Sequence, residues 1–145
     1  MTIKEIIYDS NEYKKLLNFR YTNLREPLGL NWSKEDLLNE DKQIHIALIH
    51  NNSIIGSCAL KILNNKTLKI RQMAVAKEFQ NKGYGKELIQ YAESYAKKKK
   101  FIEIIITARL SALDFYSKFG YHATGKKFID VTVESIKMIK ILNHD

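Results

Sequence analysis

Along the chain the apolar residues switch between two periods. QIHIALIH (43–50), IIGSCALKIL (54–63) and TLKIRQMAV (67–75) are β-type runs separated only by NNS and NNK. Connections that short predict three antiparallel strands in a meander. Ahead of them, TIKEIIY (2–8) predicts a short strand. Ser10 is placed to cap a helix running to about Arg25, with Tyr13, Leu16, Leu17 and Leu24 on its apolar face. Pro27 and Gly29 stop that helix. SKED (33–36) has the form of a capping box with Asp36 in the place of the usual Glu or Gln, and it predicts a second, shorter helix through Leu38.

Beyond residue 83 the helical period returns. Leu88, Ile89, Ala92, Tyr95 and Ala96 predict a helix over 84–100. FIEIIIT (101–107) is nearly all apolar, as a strand buried on both faces requires. Strand, helix and strand in succession make a βαβ unit, so 67–75 and 101–107 should be parallel neighbours. A helix over 109–119 ended by Gly120, then strands over 121–128 and 131–142, complete the chain. The fold class expected is α/β: a mixed, mostly antiparallel sheet with helices on both faces. The 145 residues fit one domain. An open edge on such a sheet leaves room for a homodimer.

Charge adds a partner class. Lys plus Arg is 24 and Asp plus Glu is 16, a net +8 that favours polyanions: nucleic acid, an acidic membrane or a phosphorylated cofactor. The densest block, Lys97–Lys100, complements the negative end of its helix and doubles as a candidate docking patch. Elsewhere the basic residues are scattered and not interleaved with exposed aromatics on one face, which argues against a nucleic-acid module. No apolar run approaches the ~18 residues of a membrane span, so no membrane partner is expected. The N-terminus lacks the layout of a signal peptide. The single cysteine, Cys58, excludes an internal disulfide and reads as a small core residue. A cytoplasmic protein is the expectation, and no metal site is foreseen.

The candidate chemistry lies in FQNKGYGKELIQ (79–90), where the meander turns into the helix. A helix N-terminus offers unpaired N–H groups and partial positive charge, and anions bind there. Gly83 and Gly85 would let an anion approach the backbone, and Gln80, Lys82 and Lys86 add donors. The spacing is neither that of a P-loop nor that of the dinucleotide fingerprint.

MAVAKEFQNKGYGKELI resembles the acetyl-CoA-binding motif of the GNAT superfamily of N-acetyltransferases, Q/R-x-x-G-x-G/A, with Gln80, Gly83 and Gly85 filling it. ARLSALDFYSKFGY (108–121) resembles the family's later A-x-x-F/L-Y-x-x-x-G-F block through Ala112, Phe115, Tyr116, Gly120 and Tyr121. LREPLGL (24–30) is similar to a stretch of one bacterial subgroup. The resemblance implies acetyl-CoA as cosubstrate and a parallel strand pair that splays to admit its pantetheine arm. Met73, Ala74 and Val75 would line that arm, and the Val75 N–H would polarise the thioester carbonyl. The loop Gln80, Asn81, Lys82, Gly83, Tyr84, Gly85 and Lys86 would hold the diphosphate, with Arg109, Ala112, Phe115 and Tyr116 also at the cofactor.

By position, Tyr116 matches the family's general acid, which returns a proton to the CoA thiolate. Without the resemblance it reads as an inner-face aromatic. Two departures stand out: Arg109 where many members carry Asn, and Ser135 where the subgroup often carries His. The base is thereby left open among Glu134, His122 and His45, with Glu134 taken as the catalytic candidate, and water. Tyr21, Arg25, Trp32, His45 and Tyr121 are candidates to line the acceptor site, for a small amine or peptide amine. A non-catalytic acyl-CoA sensor on the same fold is the alternative.

Overall fold

The structure is a computed structural model describing residues 1–143. Its strands are β1 (Thr2–Ile6), β2 (Ile44–His50), β3 (Ser53–Ile62), β4 (Thr67–Val75), β5 (Glu103–Arg109), β6 (His122–Asp130) and β7 (Val133–Ile141). The α-helices are α1 (Asn11–Arg20), α2 (Tyr84–Lys98) and α3 (Leu113–Ser117). The strands are hydrogen-bonded in the order β1-β2-β3-β4-β5-β7-β6. β4 and β5 are parallel, from Thr67 opposite Glu103 to Ile70 opposite Ile106. β1–β2, β2–β3, β5–β7 and β6–β7 are antiparallel. The meander and the parallel βαβ crossover are thus as the periodicity predicts. By internal contacts the chain forms two units, Met1–Lys61 with Gln72–Ala92, and Ile62–Arg71 with the residues from Glu93 onward.

In the first unit, Ile6, Tyr13, Leu16 and Ala47 form a buried cluster, with Leu17, Ile49 and Ile54 packed against it. Complete burial of a leucine such as Leu16 contributes about 1.5–3 kcal/mol. The Ser10 Oγ accepts from the Tyr13 N–H at 3.1 Å and caps α1. The helix reaches Arg25 as predicted, but its last five residues, Tyr21–Arg25, are a π-helical turn. Gly29, at φ 70°, then turns the chain away.

The predicted helix over 33–38 does not form. Its capping box does: the Ser33 N–H donates to Asp36 Oδ2 at 2.8 Å and the Asp36 N–H to Ser33 Oγ at 3.2 Å. The chain continues only in turns, with Leu37 and Leu38 bonded three residues back and both exposed. A single closed turn is costly to nucleate, and without an apolar face to bury it does not propagate.

Gly56 positions α2. A Cβ there would lie 3.2 Å from Leu88 Cδ1 and 3.5 Å from the Ala74 carbonyl oxygen, so the helix packs close and a methyl group would push Leu88 aside by a few tenths of an ångström.

In the second unit β5 buries Ile104, Ile106 and Ala108 in alternation. It starts two residues later than predicted because α2 ends in a left-handed cap. Lys100 adopts φ 65°, and the Phe101 N–H donates to the Ala96 carbonyl at 2.9 Å. The last helix is shorter than its predicted span of 109–119. Arg109 still belongs to β5, Leu110–Ala112 is a 3-10 turn, and only Leu113–Ser117 is α-helical. Gly120, at φ 89°, closes it: the Tyr121 N–H donates to the Tyr116 carbonyl at 3.3 Å, which requires the left-handed residue between.

Candidate active site

The loop between β4 and α2 is built around backbone geometry. β4 carries a positive φ (54°) at Gln72, two residues past the end of the parallel register. Ser57 Oγ donates to the Gln72 carbonyl at 3.3 Å, and the Ala76 N–H to the Ile55 carbonyl at 2.8 Å, so β3 holds this end of β4. Ala74 is buried, and Met73 and Val75 alternate with it on the opposite face. A 3-10 turn (Lys77–Phe79) follows. Phe79 anchors it, with ring centroids 5.8 Å from His50 and 6.2 Å from Tyr84.

Gln80 Nε2 donates to the Val75 carbonyl at 2.9 Å and folds the loop back on the strand. Asn81 and Gly83 have left-handed φ values of 62° and 88°. A Cβ at Gly83 would meet no atom within 4 Å, so open space lies before the backbone there. The Glu87 N–H makes an α-helical bond to the Gly83 carbonyl at 3.2 Å. The N–H groups of residues 84–86 precede it and have no acceptor inside the helix. Asn81, Lys82 and Lys86 are exposed around them. Unfilled N–H groups, a Cβ-free approach and cationic flanks fit a diphosphate.

Of the acceptor-side candidates, Tyr21, Arg25 and Trp32 come together. The Arg25 guanidinium lies 4.9 Å from the Trp32 ring centroid and donates to Asp36 Oδ1 at 3.1 Å. Tyr21 OH reaches Asn31 Oδ1 at 3.4 Å. Burial alone would raise the Asp36 carboxyl, but hydrogen bonds from Arg25 and Ser33 and the Arg25 charge hold it below its ordinary value.

His45 lies elsewhere. It is 1% exposed, so its alternation with Ile44 and Ile46 does not bring it to solvent. Its Nε2–H donates to the Glu40 carbonyl at 2.7 Å, and its Nδ1 accepts from Arg20 Nη2 at 2.8 Å, which makes it the neutral Nε2–H tautomer. Arg20 Nη1 and Tyr13 OH both donate to Glu40 Oε1, at 2.7 and 2.8 Å. Burial, then the Glu40 hydrogen bond and charge, push the Tyr13 phenol well above its ordinary value. The sequence offers His45 as a candidate but not this buried cluster: Arg20 is 20 and 25 residues from Glu40 and His45, and the three belong to no motif.

In the second unit Tyr116 is buried on α3, its ring centroid 5.1 Å from Phe115 and 6.1 Å from Tyr121. Tyr121 is also buried, and its hydroxyl donates to Glu93 Oε2 at 2.9 Å, while Lys140 Nζ donates to Glu93 Oε1 at 2.9 Å. Glu93 thus ties α2 to the residue before β6 through Tyr121 and to β7 through Lys140. Arg109 is partly buried at the end of β5, opposite Ser135 in β7, and Ala112 and Phe115 are half-buried on the following turns. Ser135 is buried and its Oγ donates to the Val133 carbonyl at 3.1 Å; Glu134 and His122 are exposed. Cys58 is wholly buried and burial pushes its thiol up to about 12, which leaves it an inert core side chain.

The mixed seven-stranded sheet with one parallel pair is that of an acyl-CoA N-acyltransferase fold. The chain belongs to the acetyltransferase (GNAT) family, whose model matches residues 9–121. It is accordingly an acetyl-CoA-dependent acyltransferase, acetyl-CoA being the cosubstrate of that family. It is 26% identical to the uncharacterized protein YyaT of Bacillus subtilis (strain 168) over 110 residues, 76% of this chain and 73% of that one. It is 28% identical to the uncharacterized N-acetyltransferase CT2212 of Chlorobaculum tepidum over 103 residues, 71% of this chain and 64% of that one, just under two thirds of its length. Escherichia coli ElaA superposes with a TM-score of 0.82 at 14% identity, over 97% of this chain and 99% of that one. An aminoglycoside 6'-N-acetyltransferase complexed with coenzyme A superposes with a TM-score of 0.79 at 16% identity, over 97% of both chains. Among the described residues no helix is long and apolar enough to cross a membrane.

Proposed function

We propose that the protein transfers the acetyl group of acetyl-CoA to a primary amine by direct attack, with Tyr116 as the general acid. The observation that carries the reading is the β4–α2 loop, where left-handed Asn81 and Gly83 open onto the unpaired N–H groups of a helix start. In this reading residues 80–86 hold the diphosphate. The backbone of Met73 and Val75 pairs with the pantetheine arm, and the Val75 N–H donates to the thioester oxygen as negative charge develops there. Arg109, Ala112 and Phe115 complete the cofactor contacts.

The amine nitrogen attacks the thioester carbon and the carbon–sulfur bond breaks. An alkylammonium, with a pKa of roughly 10.4, must first lose a proton. Both ring nitrogens of His45 are engaged in the fold, so the exposed Glu134 carboxylate takes that role. The thiolate then takes the Tyr116 phenolic proton. Tyr21, Arg25 and Trp32 provide the acceptor wall.

A thiol-release assay over a panel of small and peptide amines tests this. Acetyl-CoA-dependent turnover on an amine is expected. Saturable CoA binding with no turnover on any amine would replace the enzyme with a non-catalytic acyl-CoA sensor.

A further inference from the structure

In the second unit, three segments outside the β4–α2 loop meet at one end of the sheet. The Ile102 N–H donates to the Lys66 carbonyl at 2.8 Å, the Leu142 N–H to the Ile102 carbonyl at 2.8 Å, and the Leu63 N–H to the Thr67 carbonyl at 3.0 Å. Glu103 lies opposite both Thr67 and Ile141. The β3–β4 turn, the start of β5 and the end of β7 therefore lie side by side, and the last turn of α2 leads directly into them.

Ile62, Leu63, Ile102 and Ile141 are 49, 42, 44 and 61% exposed. Lys66 and Lys97–Lys100 are exposed beside them, and none of these five forms a salt bridge among the described residues. Within 62–66, 97–103 and 140–143 the one acidic residue is Glu103, which accepts a hydrogen bond from Thr67 Oγ1 at 2.7 Å. Lys100 also occupies the left-handed cap position where glycine is the usual residue, so a cation stands where backbone preference argues against it. Single exposed aliphatics call for no explanation, but four gathered at one end of the sheet, from both its faces, beside five cations make an edge that a partner would cover.

We propose that this end of the sheet docks peripherally on an anionic lipid bilayer. The lysines would meet the headgroup phosphates while the isoleucine and leucine side chains enter the boundary with the acyl chains. The lack of a long apolar run excludes a span and does not bear on such surface contact. Nucleic acid fits less well, because its bases need aromatic faces to stack on. The exposed apolar groups of this edge are all aliphatic, and the nearby Tyr95 ring is half-buried with Lys99 Nζ 6.0 Å from its centroid.

Co-sedimentation of the full chain with vesicles tests the proposal. Vesicles of phosphatidylcholine and phosphatidylglycerol should retain it at least about fivefold better than phosphatidylcholine alone, and less so as salt screens the charges. Lys97→Glu with Lys98→Glu should lower retention at least about tenfold, since each lysine at the surface is worth about fivefold. Ile102→Asp should lower it too. Lys100→Gly removes a charge and relieves the left-handed backbone, so it should weaken retention without loss of fold. Turnover of an amine in solution should be unchanged in all three variants. Equal retention on neutral and anionic vesicles, or retention unmoved by the variants, would overturn the proposal. Binding to single-stranded RNA without binding to vesicles would reassign the lysines to nucleic acid.

Discussion

Two polar regions of the first unit have opposite designs. In the cluster of Tyr13, Arg20, Glu40 and His45, side chains hydrogen-bond one another inside the core. In the loop from Gln80 to Lys86, backbone groups are held open by left-handed residues and face space. The first contains the residue types usually associated with catalysis, yet four hydrogen bonds tie them to one another and to the Glu40 carbonyl. The second contains little side-chain chemistry, yet it has the N–H groups a ligand could use. Open backbone at a helix start, more than reactive residue types, marks the candidate site in this reading.

Substitutions can break that contrast. The largest effect is expected at Glu40. Glu40→Ala leaves Arg20 buried without its carboxylate and should cost about 3–5 kcal/mol in denaturant unfolding. What folded protein remains should bind CoA unchanged.

Tyr116→Phe should lower kcat roughly a hundredfold with the KM for acetyl-CoA little altered, because the phenol acts only when the thiolate departs. A similar loss in Tyr116→Phe and in CoA affinity would make the ring a packing element instead.

Gly83→Val forces a β-branched residue to a left-handed φ, about 1–3 kcal/mol of strain, and fills the approach to the backbone. CoA affinity measured by calorimetry should fall on the order of tenfold, a 1.4 kcal/mol effect.

The smallest effects concern pH. The folded-state pKa of Asp36 is depressed, so its contribution to stability is complete above the unfolded value of about 3.9 and is lost as pH falls through the folded one. Asp36→Asn should flatten the acid limb of a Tm-versus-pH profile. Tyr13 has the opposite sign: its raised phenol stabilises the fold below about pH 10, and that contribution declines as pH rises above it. Tyr13→Phe should remove that alkaline decline.

Features set by neighbouring residues were the ones legible in sequence. The short NNS and NNK connections between β-type runs in 43–75 give the meander, and helical spacing from Leu88 to Ala96 gives α2. Gly83 and Gly120 mark left-handed turns because the requirement is local to one residue. SKED shows the limit of local evidence, since its capping box closes but no apolar surface receives Leu37 and Leu38. The π-helical turn at 21–25 has no sequence signature. The partners of His45 and Tyr121 were hidden for a different reason. Arg20 is 25 residues from His45, and Glu93 is 28 residues from Tyr121, so only the folded chain brings them together.

The central claim is that backbone N–H groups opening α2 hold the diphosphate of acetyl-CoA. An amide-resolved NMR titration of the protein with coenzyme A tests it most directly. The largest shifts are predicted at the amides of Gly83, Tyr84, Gly85 and Lys86, saturating together. Saturable binding that leaves those four amides in place, or no binding at millimolar coenzyme A, would contradict it.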